Sequence, residues 1–369
     1  MIKRILIIGG YGNFGSYISA KLSLESDIQI IVAGRTEDKC KSFIEGLTDV
    51  INKPEYAVLD ITKGLEQSLI DINPDIVIHT SGPYQGQGYD VATACIEYGC
   101  HYLDLADARD FVSGISALDA LAKEKGVSVI SGVSSVPCLS SAVIDKYKPQ
   151  FQKLETIDYG IATAQQTNKG LATTSAILSY TGKPFKTLIN GEMKEIYGWQ
   201  DLHFYRYPEL GYRALCNCEI PDLSLFPKYY PDLKTIRFYA GTEILFMHIG
   251  LWFMSWLVRF KVILSLESIA RPLLRVAHMF DWMGTSKSAF HMELKGVGLD
   301  GQELSKTFYV LAKSGDGPFI PCAPSIILAK QLARGELRRP GAYPCLSLID
   351  LDTYMKELEG LDIKDIRDV

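Results

Sequence analysis

The segment Lys3–Gly15, KRILIIGGYGNFG, constrains the fold of this chain more than any other stretch. A run of apolar residues leads into glycines at positions 10, 12 and 15, and apolar residues at helical spacing follow at once. This order predicts a strand, a tight turn and a helix. Glycines in such a turn allow a sharp bend, a close approach of the backbone to a pyrophosphate and close packing of helix on strand. The segment therefore predicts a dinucleotide site, and a plain tight turn is the alternative.

The pattern that follows predicts the rest of the architecture. Six strand-like runs alternate with helical segments up to about residue 131, with short connections. Such alternation is typical of a doubly wound parallel sheet, an α/β fold, because parallel neighbours need crossover helices. Longer strand-like runs begin near residue 150, and the clearest hairpin pairs 290–294 with 305–311. We expect residues 1–145 plus 316–369 to form the first domain and residues 146–315 an inserted α+β domain.

Composition excludes several classes of function. The chain has 369 residues, enough for about two domains. Its 38 basic and 43 acidic residues give a net charge of −5, which argues against a nucleic-acid partner. The first predicted strand begins at residue two or three, so no leader and a cytoplasmic location are expected. Eight cysteines show no metal-ligand pattern, and we expect reduced thiols and no metal site.

The end of the second predicted strand indicates which cofactor the site prefers. An NAD site usually has a carboxylate about 20 residues beyond the glycines, where it accepts a bond from the ribose 2′-hydroxyl. Here residues 33–36 read Ala-Gly-Arg-Thr, without a carboxylate. The guanidinium of Arg35 and the hydroxyl of Thr36 suit a 2′-phosphate. We therefore expect NADP, with NAD as the alternative. Asp60 is predicted either to accept a hydrogen bond from the adenine amino group or to cap a turn.

Ligands of open parallel sheets lie beyond the carboxyl ends of the strands. Ser81-Gly82-Pro83-Tyr84 follows the fourth predicted strand, and Asp107 follows the fifth. Tyr84 and Asp107 are the candidate general acids; for each, the alternative is a turn residue or a hydrogen-bonded support. His79, inside an apolar strand, is interpreted as a core imidazole. The predicted cofactor-binding residues are Gly10, Gly12, Asn13, Phe14, Gly15, Gly34, Arg35, Thr36, Asp60, Ser81, Gly82 and Pro83.

One segment differs from the rest of the chain. Ile244–Val258 contains fifteen residues, nearly all apolar. A helix that spans a bilayer needs about 20 such residues, so this one is too short. A buried helix is the first expectation. The alternatives are the wall of an apolar substrate pocket and a peripheral membrane or lipid contact through 244–266.

Five blocks carry a resemblance to a known family. They are GGYGNFG at 9–15, AGR at 33–35, SGPYQGQGYDVATACIEYGCHYLDLAD at 81–107, GVSSVPCLSSAVID at 132–145 and the tail at 315–344. Together they resemble the saccharopine dehydrogenase-like oxidoreductases, most specifically in the Gly-Pro-Tyr, Ala-Cys and Gly-x-x-Tyr-x-Asp patterns of 81–107. The resemblance is good over 1–145 and loose over 315–360.

The resemblance implies a Rossmann domain that binds NADP or NAD, an inserted domain, and a homodimer formed through that inserted domain. It also implies hydride exchange between nicotinamide and an imine carbon. Two departures argue against saccharopine itself: Tyr-Pro-Cys at 343–345 stands where the family often has Pro-Pro-Glu, and no cluster of cations for substrate carboxylates is evident.

We therefore expect an NADP(H)-dependent oxidoreductase that acts on a small-molecule substrate of hydrophobic character. One alternative is a catalytically silent scaffold that binds nucleotide or a lipid surface. The other is a saccharopine-type amino-acid dehydrogenase.

Overall fold

The computed structural model describes residues 2–367, which divide into two compact units. The first unit comprises residues 2–139 and 319–349, and the second comprises 140–318 and 350–367. The strands are β1 (Lys3–Ile8), β2 (Ile28–Gly34), β3 (Glu55–Val58), β4 (Ile76–His79), β5 (His101–Asp104), β6 (Ser128–Ser131), β7 (Phe151–Thr163), β8 (Pro184–Ile189), β9 (Glu192–Tyr197), β10 (His203–Tyr207), β11 (Gly211–Asn217), β12 (Thr235–Thr242), β13 (Ser288–Gly298), β14 (Glu303–Ala312), β15 (Gly341–Pro344) and β16 (Ile363–Ile366). The helices are α1 (Asn13–Leu22), α2 (Glu37–Glu45), α3 (Leu65–Ile72), α4 (Asp90–Tyr98), α5 (Arg109–Gly114), α6 (Asp119–Glu124), α7 (Ser140–Tyr147), α8 (Leu171–Tyr180), α9 (Asp222–Tyr229), α10 (Leu245–Arg259), α11 (Ala270–His278), α12 (Ala323–Ala333) and α13 (Leu351–Glu357).

The first unit is built on a parallel sheet of seven strands in the order β15-β6-β5-β4-β1-β2-β3. The expected doubly wound parallel sheet is confirmed. Its central strands are buried along their length: all four residues of β4 and the last four of β1 are inaccessible to solvent. Burial on both faces explains why these strands read as continuous apolar runs rather than alternating patterns.

The seventh strand, β15, is an addition to the expected six. It pairs in parallel with β6, with Gly341 opposite Ser128 and Pro344 opposite Ser131. A four-residue strand that contains both glycine and proline gives almost no strand signal in the sequence. Proline is tolerated here because β15 is an edge strand.

The second unit is built on a mixed sheet in the order β10-β11-β12-β7-β13-β14-β16. Strands β7 and β12 are parallel, and the other neighbours are antiparallel. The expected hairpin is confirmed as β13 and β14, with Phe290 opposite Val310. A separate antiparallel hairpin is formed by β8 and β9. With five helices between residues 140 and 278, this unit has the expected α+β character.

The tail corrects the expected domain boundaries. All of 316–369 was expected in the first domain, but residues 350–367 lie in the second unit. The reason is long-range pairing: Ile366 of β16 lies opposite Tyr309 of β14, and α13 packs against α7. The observed boundaries fall after residues 139 and 318, rather than after 145 and 315.

The apolar segment forms α10 in the second unit, so the expected helix is confirmed and its expected burial is wrong. Among its fifteen residues only His248, Ser255 and Val258 are buried, whereas Phe253 is 58% exposed. Leu251 and Met254 are half-buried against a small core cluster, whereas Leu245, Phe246, Ile249 and Phe253 are exposed. Within residues 2–367 no helix is both long enough and apolar enough to cross a membrane.

Candidate cofactor and active site

The turn between β1 and α1 brings backbone atoms unusually close together. A Cβ atom at Gly15 would lie 2.2 Å from the carbonyl oxygen of Gly9, so only glycine lets α1 approach the end of β1 this closely. Gly9 has φ of +81°, and a Cβ there would lie 2.7 Å from Thr80 Oγ1 and 2.8 Å from Ser81 Oγ. The turn therefore packs directly against the residues that follow β4.

The start of α1 suits an anion. The residue before the helix is Gly12, so no side chain caps the helix, and its first turn contains no acidic residue. A helix N-terminus of this kind offers N–H groups and the positive end of the helix dipole. Asn13 is exposed and Phe14 half-buried at this end. The predicted residues from 10 to 15 are thus brought together in a form that fits a pyrophosphate.

Arg35 and Thr36 lie side by side at the exposed end of β2. Among the described residues the Arg35 guanidinium has no hydrogen-bond or ion-pair partner, so its charge is available to a ligand. Thr36 occupies the position before α2, yet its hydroxyl makes no capping bond. A cation and a hydroxyl left without protein partners are the groups that a 2′-phosphate would need.

Tyr11 is a residue of this site that sequence reasoning missed. A Cβ atom at Gly34 would lie 2.3 to 2.8 Å from atoms of the Tyr11 ring, so the ring lies directly on the Gly34 backbone. The signal was an aromatic residue inside the glycine turn, two positions before the helix. Its ring joins the turn to the end of β2.

Asp60 caps a turn in the structure. Its Oδ1 atom accepts bonds from the Thr62 N–H at 3.0 Å and from the Thr62 hydroxyl at 2.8 Å. These bonds are the main reason that the pKa of Asp60 lies below its usual value, and the charge of Arg35 lowers it further. The turn-cap interpretation accounts for this carboxylate, and contact with adenine stays a prediction.

The segment after β4 is held in place by hydrogen bonds to the end of β1 and within its own backbone. The Thr80 hydroxyl donates to the Ile8 carbonyl at 2.8 Å. The side-chain amide of Gln87, a second residue that sequence reasoning missed, donates to the carbonyls of Ser81 at 3.1 Å and Pro83 at 2.6 Å. These contacts fix the predicted residues 81–83 beside the glycine turn.

Tyr84 is buried, and its hydroxyl donates to the His79 carbonyl at 2.6 Å. Burial raises the pKa of Tyr84 well above its usual value. Action as a general acid would require this bond to break. The geometry therefore favours the alternative in which Tyr84 is a hydrogen-bonded support. His79 itself is fully buried, with Nδ1 3.1 Å from the Tyr102 hydroxyl, and burial lowers its pKa to about 4.

The two aspartates after β5 differ in their surroundings. Asp104 is fully buried, and its Oδ1 accepts bonds from the N–H groups of Ala106 and Gly132 and from the Ser131 hydroxyl, at 2.9 to 3.0 Å. Burial raises the pKa of Asp104 to about 6 in spite of these bonds. This carboxyl ties the ends of β5 and β6 together.

Asp107 is only half-buried. The side-chain amide of Gln85 donates to its Oδ1 at 3.3 Å, and burial raises the pKa of Asp107 above its usual value. A carboxyl with a raised pKa stays protonated to higher pH than an ordinary aspartate, and partial accessibility lets it pass that proton to a ligand. Of the two predicted general acids, Asp107 has the more suitable environment.

The parallel sheet, the glycine turn and the strand-end residues define a dinucleotide-binding domain of the Rossmann class. Residues 5–130 match the family model of the saccharopine dehydrogenase NADP binding domain. The first unit therefore carries this domain, and the resemblance drawn from the motifs is confirmed. NADP, the cofactor expected from Arg35, is the cofactor of the matching family.

Curated relatives match over part of the chain. A saccharopine dehydrogenase-like oxidoreductase from Mus musculus is 26% identical over 150 residues, which is 36% of this chain and 35% of the relative. A lipid droplet localized protein from Caenorhabditis elegans is 27% identical over 143 residues, 36% of this chain and 34% of the relative. The matching stretches thus span about a third of these relatives' own length.

The fold of the whole chain is similar to that of a solved enzyme. The apo histidine-tagged saccharopine dehydrogenase (L-Glu forming) from Saccharomyces cerevisiae superposes with a TM-score of 0.68 and covers 100% of both chains. Sequence identity is 14%, so the likeness establishes the fold and not the activity.

The glycine turn gives a first testable prediction. Gly15→Ala introduces a Cβ that would lie 2.2 Å from the Gly9 carbonyl, so the turn must shift. Overpacking of this kind costs about 1–3 kcal/mol, and we expect NADPH affinity to fall roughly tenfold, measured by fluorescence titration. Gly46→Ala is the control, because its Cβ would meet nothing closer than 3.5 Å. Equal affinities for the two variants would contradict the assignment.

Asp104 gives a prediction about pH. Folding raises its pKa from 3.8 to about 6, so the folded chain holds a proton that the unfolded chain loses in this range. Its contribution to stability is present below about pH 4 and is lost as the pH rises through about 6. We expect the wild type to lose about 3 kcal/mol of unfolding free energy across this range relative to Asp104→Asn, measured by urea denaturation. Parallel pH profiles for the two proteins would contradict it.

Proposed function

We propose that the protein is an NADP(H)-dependent oxidoreductase of the saccharopine dehydrogenase-like family, which transfers hydride to or from a small-molecule substrate of hydrophobic character. The observation that carries the proposal is the exposed Arg35 guanidinium, which has no partner among the described residues and follows the end of β2 that packs against the glycine turn. The family match over residues 5–130 supports the same cofactor. The whole protein's activity and substrate are part of the proposal, because the relatives match over a third of their length.

In this proposal each part of the site has a separate task. Backbone N–H groups at residues 12–15 bind the pyrophosphate, and Arg35 and Thr36 bind the 2′-phosphate. Residues 81–83, held by Gln87, form the floor near the nicotinamide. When bound, NADPH supplies the hydride. Every group of the chain named here binds or orients; none needs to change its oxidation state.

Proton transfer is assigned to Asp107. Reduction of a polar double bond adds a hydride to carbon and a proton to the neighbouring atom, so a proton donor must reach the substrate. Asp107 is accessible in part, its pKa is raised by burial, and Gln85 orients it. Tyr84 acts in this scheme as the support that fixes the turn after β4 through its bond to the His79 carbonyl.

Two further proposals concern the setting of the enzyme. We infer a cytoplasmic homodimer formed through the second unit, as the family resemblance implies. We also infer a peripheral contact with a lipid surface through residues 244–266. Its support is the exposure of the apolar side chains of α10, and one relative is named a lipid droplet localized protein.

The alternatives predict different outcomes in one set of assays. A catalytically silent scaffold would bind NADPH and never consume it, whatever carbonyl, enoyl or imine compound is supplied. A saccharopine-type dehydrogenase would reduce NADP in the presence of saccharopine. The proposed reductase consumes NADPH with a hydrophobic substrate and is inactive with saccharopine.

Arg35 provides the direct test of cofactor preference. Removal of one charge-assisted hydrogen bond costs about 1.5–3 kcal/mol, so Arg35→Ala should weaken NADPH binding roughly 10- to 100-fold and leave NADH binding nearly unchanged. The measurement is thermal stabilisation as a function of cofactor concentration. The control is Arg206→Ala, an exposed arginine of β10. Equal loss of both cofactors, or no difference between them in the wild type, would contradict the assignment.

A further inference from the structure

Exposed apolar side chains are concentrated in one stretch of the second unit. Among residues 2–367, 13 of the 25 large hydrophobic side chains that are exposed lie between positions 245 and 283. They are Leu245, Phe246, Ile249, Phe253, Phe260, Val262, Ile263, Leu264, Ile269, Val276, Met279, Trp282 and Met283. We call them the 245–283 surface. Large exposed apolar patches usually mark a site of interaction.

The two helices that carry the 245–283 surface, α10 and α11, are linked at both ends. The ring of Phe246, at the start of α10, lies 5.0 Å from that of Phe280, just beyond the end of α11. At the opposite end, Val258 of α10 and Ala270 of α11 are buried in one small cluster with Leu266. Residues 260–264 begin the connection between the two helices, and we call them the tip; Leu264 there is 85% exposed.

Cations border the same surface. Between residues 245 and 283 the chain carries Arg259, Lys261, Arg271 and Arg275, against two carboxylates, Glu267 and Asp281. Asp281 is already paired with Lys169 and His278. Arg259 bonds the side chain of Gln200. In the described part of the chain, the other three cations have no hydrogen-bond or ion-pair partner for their side chains. The surface therefore combines an apolar tip with uncompensated positive charge.

We propose that the 245–283 surface docks the protein on a negatively charged phospholipid surface. This rests on the lipid contact proposed above and specifies both its extent and its partner. The apolar tip at 260–264 enters the acyl boundary, and Lys261, Arg271 and Arg275 contact the anionic headgroups. The fifteen residues of α10 lie along the interface, because about 20 are needed to span a bilayer.

Charge decides against a second copy of the chain as the occupant. A symmetric contact through this surface would bring Lys261, Arg271 and Arg275 of the two copies together, and of the two carboxylates on each copy's surface Asp281 is already paired with Lys169. Like charges juxtaposed in this way are unfavourable. An anionic lipid surface instead supplies the missing negative charge and an apolar interior for the exposed side chains.

The test uses the full chain and vesicles of phosphatidylcholine with or without phosphatidylserine. The wild type should co-sediment with the anionic vesicles, less strongly as salt rises. Binding should also shift the fluorescence of Trp282, which is 77% exposed in solvent, to the blue.

Val262→Asp with Leu264→Asp should lower the partition coefficient at least tenfold. Arg271→Gln with Arg275→Gln should lower it by roughly fivefold per charge. Leu299→Asp, at an exposed turn of the same unit, is the matched control.

The outcomes separate this proposal from the ones on which it rests. Equal binding to both kinds of vesicle, abolished by the tip variant, would overturn the headgroup preference and leave the lipid contact standing. Absence of wild-type binding to either kind would overturn both. A dimer in sedimentation that the tip variant dissociates, without vesicle binding, would make the surface an interface between copies and overturn the proposal. NADPH-induced thermal stabilisation of each variant reports on the cofactor site independently.

Discussion

The contact between Gly15 and the carbonyl of Gly9 is the constraint on which the rest of the first unit depends. It sets how closely α1 approaches β1, and hence where the uncapped end of the helix lies. Gly9 in turn packs against the hydroxyls of Thr80 and Ser81, so the glycine turn and the end of β4 are held close together. The predicted cofactor site therefore consists mostly of main chain, and a few side chains would decide what it binds.

The parts of this arrangement that depend on local sequence were predictable. A glycine turn between a buried strand and a helix has a spacing that few other structures require, and strands buried on both faces read as apolar runs. Arg35 was also predictable from local sequence, because it directly follows β2. For the same reason the hairpin of β13 and β14 was recognised from one short stretch of chain.

The parts that depend on distant partners were not predictable. Four-residue strands such as β15 and β16 exist because an edge of a sheet accepts them, and that edge is far away in sequence. The apolar composition of α10 indicated a helix correctly, but composition does not say whether another element covers it. The sequence could not show that the Tyr84 hydroxyl donates to the His79 carbonyl, because that bond depends on the folded conformation of the turn.

The ring of Tyr11 lies on the backbone of Gly34, which has a consequence for redesign of the cofactor preference. A side chain at position 34 would lie 2.3 to 2.8 Å from the far end of this ring, so a carboxylate introduced there would require the ring to move. If Arg35 and Thr36 bind the 2′-phosphate as proposed, redesign toward NAD would begin at those two positions, and a change at position 34 would go with a smaller residue at position 11. The aromatic ring thus couples two stretches of sequence more than twenty residues apart into one unit of specificity.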